Sequence, residues 1–368
     1  MLLSVLQENL HRALARTSRV VATKPQLPIL AHVLLRAEEG RLVVAATGTE
    51  TTEVVWTGAK TEKEGGLCVP SRLFTELVGS LPQEAVRLEE KEGQLCVSCG
   101  NTSATIPGVS ATEFPPVVPE EGPAGTSTEK GALAQGLGLA LFAAATDEGR
   151  PILTGIKIVQ KEKGAQFVAT DGYRLSVVQS QASLPRGTDV VVPGRGIAEF
   201  LRVCQEEKEE KEVRLSFGVD GQTTLVVGDT RVVARQIGGE YPSFEKIIPA
   251  RHNTSAAVDT QALARAVKSA AIFARDNANI VRLRVDKTTL TVSANAPQVG
   301  ENSVGVDAQI EGEGGEIAFN SRFLLDLFSN FPEEELVFEM TGSLNPGLFR
   351  PAKDKNFFHV IMPVRVQA

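Results

Sequence analysis

Only four of the 368 residues are cysteine and four are histidine, and these shortages remove several kinds of chemistry. Cys68, Cys96, Cys99 and Cys204 are too few to build a disulfide framework in a chain this long. Cys96-Val-Ser-Cys99 has the spacing of half a zinc site. A structural zinc site needs further ligands, usually a second such pair, and none is present. The segment reads as a strand with its two thiols on opposite faces. His11, His32, His252 and His359 are scattered, with no H-x-x-x-H or H-E-x-x-H spacing, so no metal centre is expected. No run approaches the roughly 18 apolar residues that would span a membrane. The opening MLLSVLQENLHRALARTSRV lacks the charged start, apolar core and cleavage site of a secretory signal. The expected location is cytoplasmic.

Enzyme motifs are missing too. There is no G-x-x-x-x-G-K-[ST] phosphate cradle, no G-x-S-x-G elbow and no strand–G-x-G-x-x-G–helix unit. Gly312, Gly314 and Gly315 sit between polar residues before a strand and read as a turn. Asp171-Gly172 lies between two strand-like segments, where Asp-Gly is first a turn signal. Neither a catalytic residue nor a cofactor is expected.

What is present is a repeat. Apolar residues make up 42% of the chain and charged residues 23%, ordinary values for a folded globular protein. Three segments share an apolar lead-in, a Pro or Asn, an Arg two positions later and an amphipathic helix: CVPSRLFTELVGSL (68–81), VVPGRGIAEFLRVC (191–204) and AFNSRFLLDLFSNF (318–331). Three others read strand, polar turn, strand: 27–50, 150–176 and 278–297. A third set is IPGVSATEFPPV (106–117), IGGEYPSFEKII (237–248) and FFHVIMPVRV (357–366). Each unit opens with a further helix, near Ser4–Arg16, Thr128–Ala144 and Asp259–Phe273, the last with Asp259 or Thr260 as N-cap. PPVVPEEGPAGTST (115–128) and IPARHNTSAA (248–257) break the pattern as linkers. The spacing predicts an α+β chain of three domains, 1–122, 126–250 and 253–368, each with two helices and several short strands.

The formal net charge is −7, which argues against gripping nucleic acid by bulk electrostatics. The distribution reads differently. Arg12, Arg16 and Arg19 fall on one helical face, and Arg72, Arg195, Arg202 and Arg322 stand on or at the start of the repeated short helices. EEKEEKE (206–212) is expected to be a charged turn or helix end with no role beyond solubility. An acidic exterior with basic helices would reconcile the net charge with a nucleic-acid partner.

LPIL (27–30), ATDGYRLS (169–176), EYPSFEKIIP (240–249) and VIMPVRV (360–366), together with the threefold repeat, resemble the bacterial DNA polymerase III beta subunit family, the DNA sliding clamps. The resemblance covers the whole chain. It implies three domains of the clamp fold, each with two helices packed on antiparallel sheets, and a head-to-tail homodimer closing a ring of six domains. It implies a processivity factor with no enzymatic activity. The ring encircles double-stranded DNA without reading its sequence and tethers the replicative DNA polymerase, the clamp loader and repair proteins that carry a clamp-binding linear motif.

Residue by residue, the resemblance places Lys24, Arg150, Arg195 and Arg202 against DNA, and the helical stripes add Arg12, Arg16 and Arg72. Pro151-Ile152 stands where relatives can carry an aromatic pair. The family's peptide pocket maps to Leu153, Thr170, Gly172, Tyr173, Arg174, Leu175, Pro242, Lys246, Ile247, Asn320, Phe323, Leu344, Pro346, Val360, Met362, Pro363, Val364 and Arg365. The set is mostly apolar with a few polar groups, as a peptide-anchoring groove requires. The subunit interface maps to Ile272 and Phe273 packing near Ala104 of the other copy. The competing reading is a β-rich repeat scaffold without a nucleic-acid partner, which would have no reason to repeat arginines on equivalent helices.

Overall fold

The structure is a computed structural model that describes residues 1–22, 25, 27–116, 125–147, 149–218, 220–296 and 300–365. Among these are six α-helices: α1 (Gln7–Thr17), α2 (Ser71–Ser80), α3 (Lys130–Leu141), α4 (Gly194–Glu206), α5 (Thr260–Ala274) and α6 (Ser321–Asn330). The first helix begins later than its sequence predicts. Leu2–Leu6 is a strand, with Leu3 and Val5 inward, and it pairs antiparallel with Ala85–Lys91. Period-two burial wins there because those five residues complete a sheet. Thr126–Glu129 likewise pairs with Glu212–Phe217 before α3 starts. Asp259, not Thr260, caps α5: its Oδ1 accepts from the Ala262 N–H at 2.6 Å.

The chain forms two compact units, and the middle repeat is divided between them. The first unit comprises Met1–Gly131, Ser183–Arg186 and Arg195–Gln236. It holds a five-stranded sheet in the order Lys60–Lys63, Leu2–Leu6, Ala85–Lys91, Gln94–Cys99 and Thr102–Pro107. Its nine-stranded sheet runs from Val109–Ser110 through Gly65–Pro70, His32–Glu38, Arg41–Thr47 and Thr51–Gly58. It then continues into Thr230–Arg235, Gln222–Val227, Glu212–Phe217 and Thr126–Glu129. The join is the pairing of Thr52 with Val233, first repeat to second. The core packs Leu10 and Leu14 of α1 and Phe74 and Val78 of α2 against inward residues of both sheets, among them Leu42, Val44, Leu88 and Val97. Alternate residues Val43 and Val54 belong to a second cluster with Phe114, against which Ile29 and Ala111 of short 3-10 turns pack but no α-helix residue does. The nine-stranded sheet therefore carries α-helices on one face only in this region.

The second unit comprises Ala132–Ala182, Gly187–Gly194 and Ile237–Ala368. Its twelve strands run Asp189–Pro193, Gly155–Lys161, Gly164–Thr170, Arg174–Ser180, Phe357–Ile361, Gly347–Pro351 and Glu335–Met340. They continue with Thr254–Asp259, Gly300–Gly312, Thr289–Ala296, Ile280–Val285 and Gly315–Asn320. Here the second repeat joins the third: Leu175 pairs with Val360, and Ser176 with His359. Strand sharing at both ends explains why the middle repeat belongs to two bodies.

The expected turns and thiols are in place. Within Gln94–Cys99, Leu95, Val97 and Cys99 point inward and Cys96 is half-buried on the other face. Burial pushes Cys68 and Cys204 up to about 12, so both remain thiols. Among the described residues no cluster could hold a metal ion, and no helix is long and apolar enough to cross a membrane.

Candidate peptide groove and basic surface

In the second unit, one turn organises the surface where the peptide pocket is expected. Thr170 ends a strand and Arg174 starts the next. The Asp171 carboxylate accepts from the Tyr173 N–H at 2.8 Å, the Arg174 N–H at 2.9 Å and Arg174 Nε at 3.0 Å. Thr170 Oγ1 accepts from the Gly172 N–H at 3.0 Å and donates to the Arg174 carbonyl at 2.6 Å. Gly172 has φ +91°, and a Cβ there would lie 2.8 Å from Arg150 Nη1. Asp171 is thus committed to shaping the turn, as its Asp-Gly sequence predicts.

The turn holds two side chains at α6. Arg174 Nη1 donates to Asp326 Oδ2 at 2.7 Å, and its guanidinium lies 4.8 Å from the centre of the Phe323 ring. The Tyr173 ring stacks on Phe323 with centroids 6.3 Å apart. Leu344, elsewhere in the same unit, is 64% exposed. Tyr173 is 62% exposed, so large apolar surface stands in water at this turn. Beneath it lies an apolar floor of Leu175, Tyr241, Phe244, Leu348 and Val360, with Ile152, Ile237 and Ile247 packed against it. Burial raises the Tyr241 hydroxyl above its ordinary range. The Met362 N–H donates to the Tyr173 carbonyl at 2.8 Å, and the Val364 N–H to the Ala318 carbonyl at 2.8 Å. These bonds seat the terminal segment alongside the turn.

The residues expected to line a peptide pocket all lie in this unit. Leu153, Leu175 and Val360 are buried and form floor or core. Gly172, Tyr173, Pro242, Lys246, Leu344 and Arg365 are exposed; Phe323, Pro346, Met362, Pro363 and Val364 are half-buried. Asn320 has a structural duty as N-cap of α6, accepting from the Arg322 N–H at 2.9 Å. Sequence reasoning missed Asp326, which fixes Arg174. It also missed Phe142, whose ring lies 5.9 Å from the Arg174 guanidinium and 4.9 Å from the His359 ring. Burial pushes His359 down to about 3, so it is neutral, with Nδ1 2.8 Å from Ser176 Oγ.

The basic residues of the first unit divide into two groups. Arg12, Arg72, Arg195 and Arg202 are exposed. Arg12 donates to Asn9 at 2.7 Å, Arg72 pairs with Glu76 at 2.9 Å and Arg202 pairs with Glu199. The contacts of Arg12 and Arg72 are solvent-exposed and weak, whereas Glu199 beneath Arg202 is only 12% exposed. Arg16 departs from the expected stripe. It is 3% exposed, with Nε 2.6 Å from Glu206, Nη2 2.7 Å from Glu207 and Nη1 2.7 Å from Thr230 Oγ1. Arg19 also takes Glu206, at 2.5 Å. The start of EEKEEKE therefore receives Arg16 of α1 and Arg19 just beyond it. A helical spacing of four places Arg16 beside Arg12 but does not reveal a carboxylate 190 residues away. In the second unit Arg150 is exposed and donates to the Asp171 carbonyl at 2.7 Å. Lys24 lies outside the described residues.

Comparison with known proteins decides the family. Models of the DNA polymerase III beta subunit match in chain order: its N-terminal domain at residues 1–119, its central domain at 129–243 and its C-terminal domain at 245–365. The chain belongs to the DNA polymerase III beta subunit family. The beta sliding clamp of Synechococcus elongatus is 30% identical over 370 residues, covering 98% of each chain. That of Staphylococcus aureus is 24% identical over 95% of each. Among solved structures, the Bacillus subtilis sliding clamp aligns with TM-score 0.94 at 23% identity. The Pseudomonas aeruginosa polymerase III beta subunit aligns with TM-score 0.92 at 26% identity; both alignments cover 100% of each chain. A Pseudomonas aeruginosa clamp bound to griselimycin is 27% identical. This beta subunit is accordingly a sliding clamp, a DNA polymerase processivity factor without enzymatic activity, built of three repeated clamp domains.

Proposed function

We propose that two copies of this clamp close head to tail around duplex DNA in the cytoplasm, and that the groove around Tyr173 receives the linear motif of the replicative polymerase, the clamp loader and repair proteins. The repeats are taken as 1–122, 126–250 and 253–368, with the closing contact between Ile272 and Phe273 of one copy and the region of Ala104 in the other. Ile272 is 57% exposed on α5 and thus available for such a contact. Arg12, Arg72, Arg195 and Arg202, with Arg150 and Lys24, face the phosphates, and Arg16 is withdrawn from that set. Few and exchangeable phosphate contacts suit a ring that must slide.

The observation that carries the peptide assignment is the exposed Tyr173 ring stacked on half-buried Phe323, in the same unit as the apolar cluster of Leu175 and Val360. A partner's leucine or phenylalanine buried there contributes about 1.5–3 kcal/mol, and the Arg174 guanidinium and the turn backbone supply orientation. Anisotropy titration with a labelled polymerase tail peptide tests the assignment. Met362→Asp should abolish binding, as should deletion of residues 364–368, while sedimentation still shows a dimer. Wild-type affinity in Met362→Asp would place the partner site elsewhere.

A further inference from the structure

Within the second unit the Arg174 guanidinium is held on two edges and one face. Its Nε donates to Asp171 Oδ2 at 3.0 Å and its Nη1 to Asp326 Oδ2 at 2.7 Å, while the Phe323 ring centre lies 4.8 Å away. Phe323 and Asp326 are three residues apart on α6 and share a helix face. The ring sets the plane of the guanidinium, and the two carboxylates set its rotation within that plane. Among the described residues none accepts from Nη2, so that nitrogen is the donor left for a ligand. The side chain is only 10% exposed. A fork fixed in this way loses little freedom when an acceptor arrives.

The positive charge of Arg174 is already answered. Asp171 and Asp326 both pair with it. The next cation, Arg150, donates to the Asp171 carbonyl at 2.7 Å and lies against Gly172, so two guanidinium groups stand against two carboxylates. Asp171 is needed for the turn itself, since it accepts from the Tyr173 and Arg174 N–H groups. Asp326 has no such duty. Among the described residues its carboxylate meets only Arg174, and its side chain is 51% exposed. On the reading that a partner peptide binds around Tyr173, we propose that Asp326 is a positioning and specificity-determining residue: it holds Arg174 in place and cancels its charge, so that the guanidinium selects a neutral amide carbonyl of the peptide over a carboxylate. Stripping water from a carboxylate costs far more than stripping it from an amide. Only uncompensated positive charge offsets that cost, and Asp326 removes it. An amide carbonyl needs no more than the hydrogen bond.

The test uses the full-length protein, the labelled polymerase tail peptide and a set of peptide variants carrying Asn or Asp at one position in turn, read by anisotropy. At the position that meets Arg174 the wild type should prefer Asn. Asp326→Asn should move the Asn-to-Asp affinity ratio toward Asp by about two- to fivefold, the range of an exposed ion pair, and the shift should shrink in high salt. Exposed Lys246 and Arg365 are the same in both proteins and cancel from the comparison. Asp326→Glu keeps the charge and should keep the wild-type ratio. A purely structural role for Asp326 would weaken both peptides alike and leave the ratio unmoved. An unchanged ratio at every position, or one equal shift at all positions, would overturn the proposal while Met362→Asp still abolishes binding. Wild-type affinity in Met362→Asp would instead remove the peptide site, and this role of Asp326 with it.

Discussion

Arg16 Nε donates to Glu206 Oε2 at 2.6 Å, tying α1 of the first repeat to α4 of the second across 190 residues of chain. The same guanidinium also meets Glu207 and Thr230, so its three nitrogens are all engaged. Arg16 is therefore expected to act in folding, not in DNA contact. Arg16→Leu should lower stability by about 1–3 kcal/mol, less than the 3–5 kcal/mol of fully buried pairs, because Glu206 keeps 34% of its side chain in water. Urea unfolding followed by Trp56 fluorescence measures it. Arg195→Glu combined with Arg202→Glu should instead leave that transition in place and shorten retention on circular DNA. The reverse pattern would return Arg16 to the DNA face.

Glu53 should make the first unit pH-sensitive. It is fully buried on the strand Thr51–Gly58, and neither carboxylate oxygen has a hydrogen-bond partner among the described residues. Burial, then the nearby Glu199, push its pKa up to about 7; Arg19 and Arg16 pull the other way and Glu206 adds to the rise. A carboxyl that holds its proton more tightly when folded stabilises the fold fully below its ordinary value of 4.5, and that contribution is lost as pH rises through about 7. The loss should approach about 3 kcal/mol by pH linkage, and Glu53→Gln should abolish the slope between these limits. Parallel urea titrations of the two proteins across that range would show it; identical slopes would refute it.

Gly172→Ala should damage the groove from within. The left-handed φ of +91° and the 2.8 Å approach to Arg150 both oppose a Cβ. A backbone cost of about 1–3 kcal/mol is expected, with Tyr173 displaced from Phe323. Peptide affinity should fall more than global stability does, which anisotropy and thermal melting together resolve.

Replacing Ile272 and Phe273 by alanine should shift the dimer toward monomer without lowering peptide affinity, because the groove residues lie elsewhere in the second unit. Analytical ultracentrifugation across micromolar concentrations reads the first effect. A fully dimeric double variant would place the closing contact on other residues.

Much of this architecture was legible in the sequence because it is local and repeated. The Pro or Asn before each short helix, the strand–turn–strand segments and the Asp171-Gly172 turn all depend on neighbours a few residues apart. The groove was legible only through family resemblance: Leu175, Tyr241 and Val360 acquire a shared purpose only when Arg174–Ser180 pairs with Phe357–Ile361. Arg16 misled for the same reason. Its charge and spacing suited a solvent-facing stripe, and nothing near it in sequence announced Glu206 or Glu207. The strand at Leu2–Leu6 was hidden by a helix-like pattern running into α1, since five apolar-rich residues satisfy either period.

The pairing of Thr52 with Val233 and of Leu175 with Val360 has a consequence for anyone dissecting the chain. A fragment cut at the linkers to contain only residues 126–250 would present two raw sheet margins, Thr230–Arg235 and Arg174–Ser180, each stripped of its companion strand. Such margins recruit other chains. The repeated segment is therefore a poor choice for a stand-alone protein, and an excision that respects the hydrogen-bonded seams would have to cut through the middle repeat.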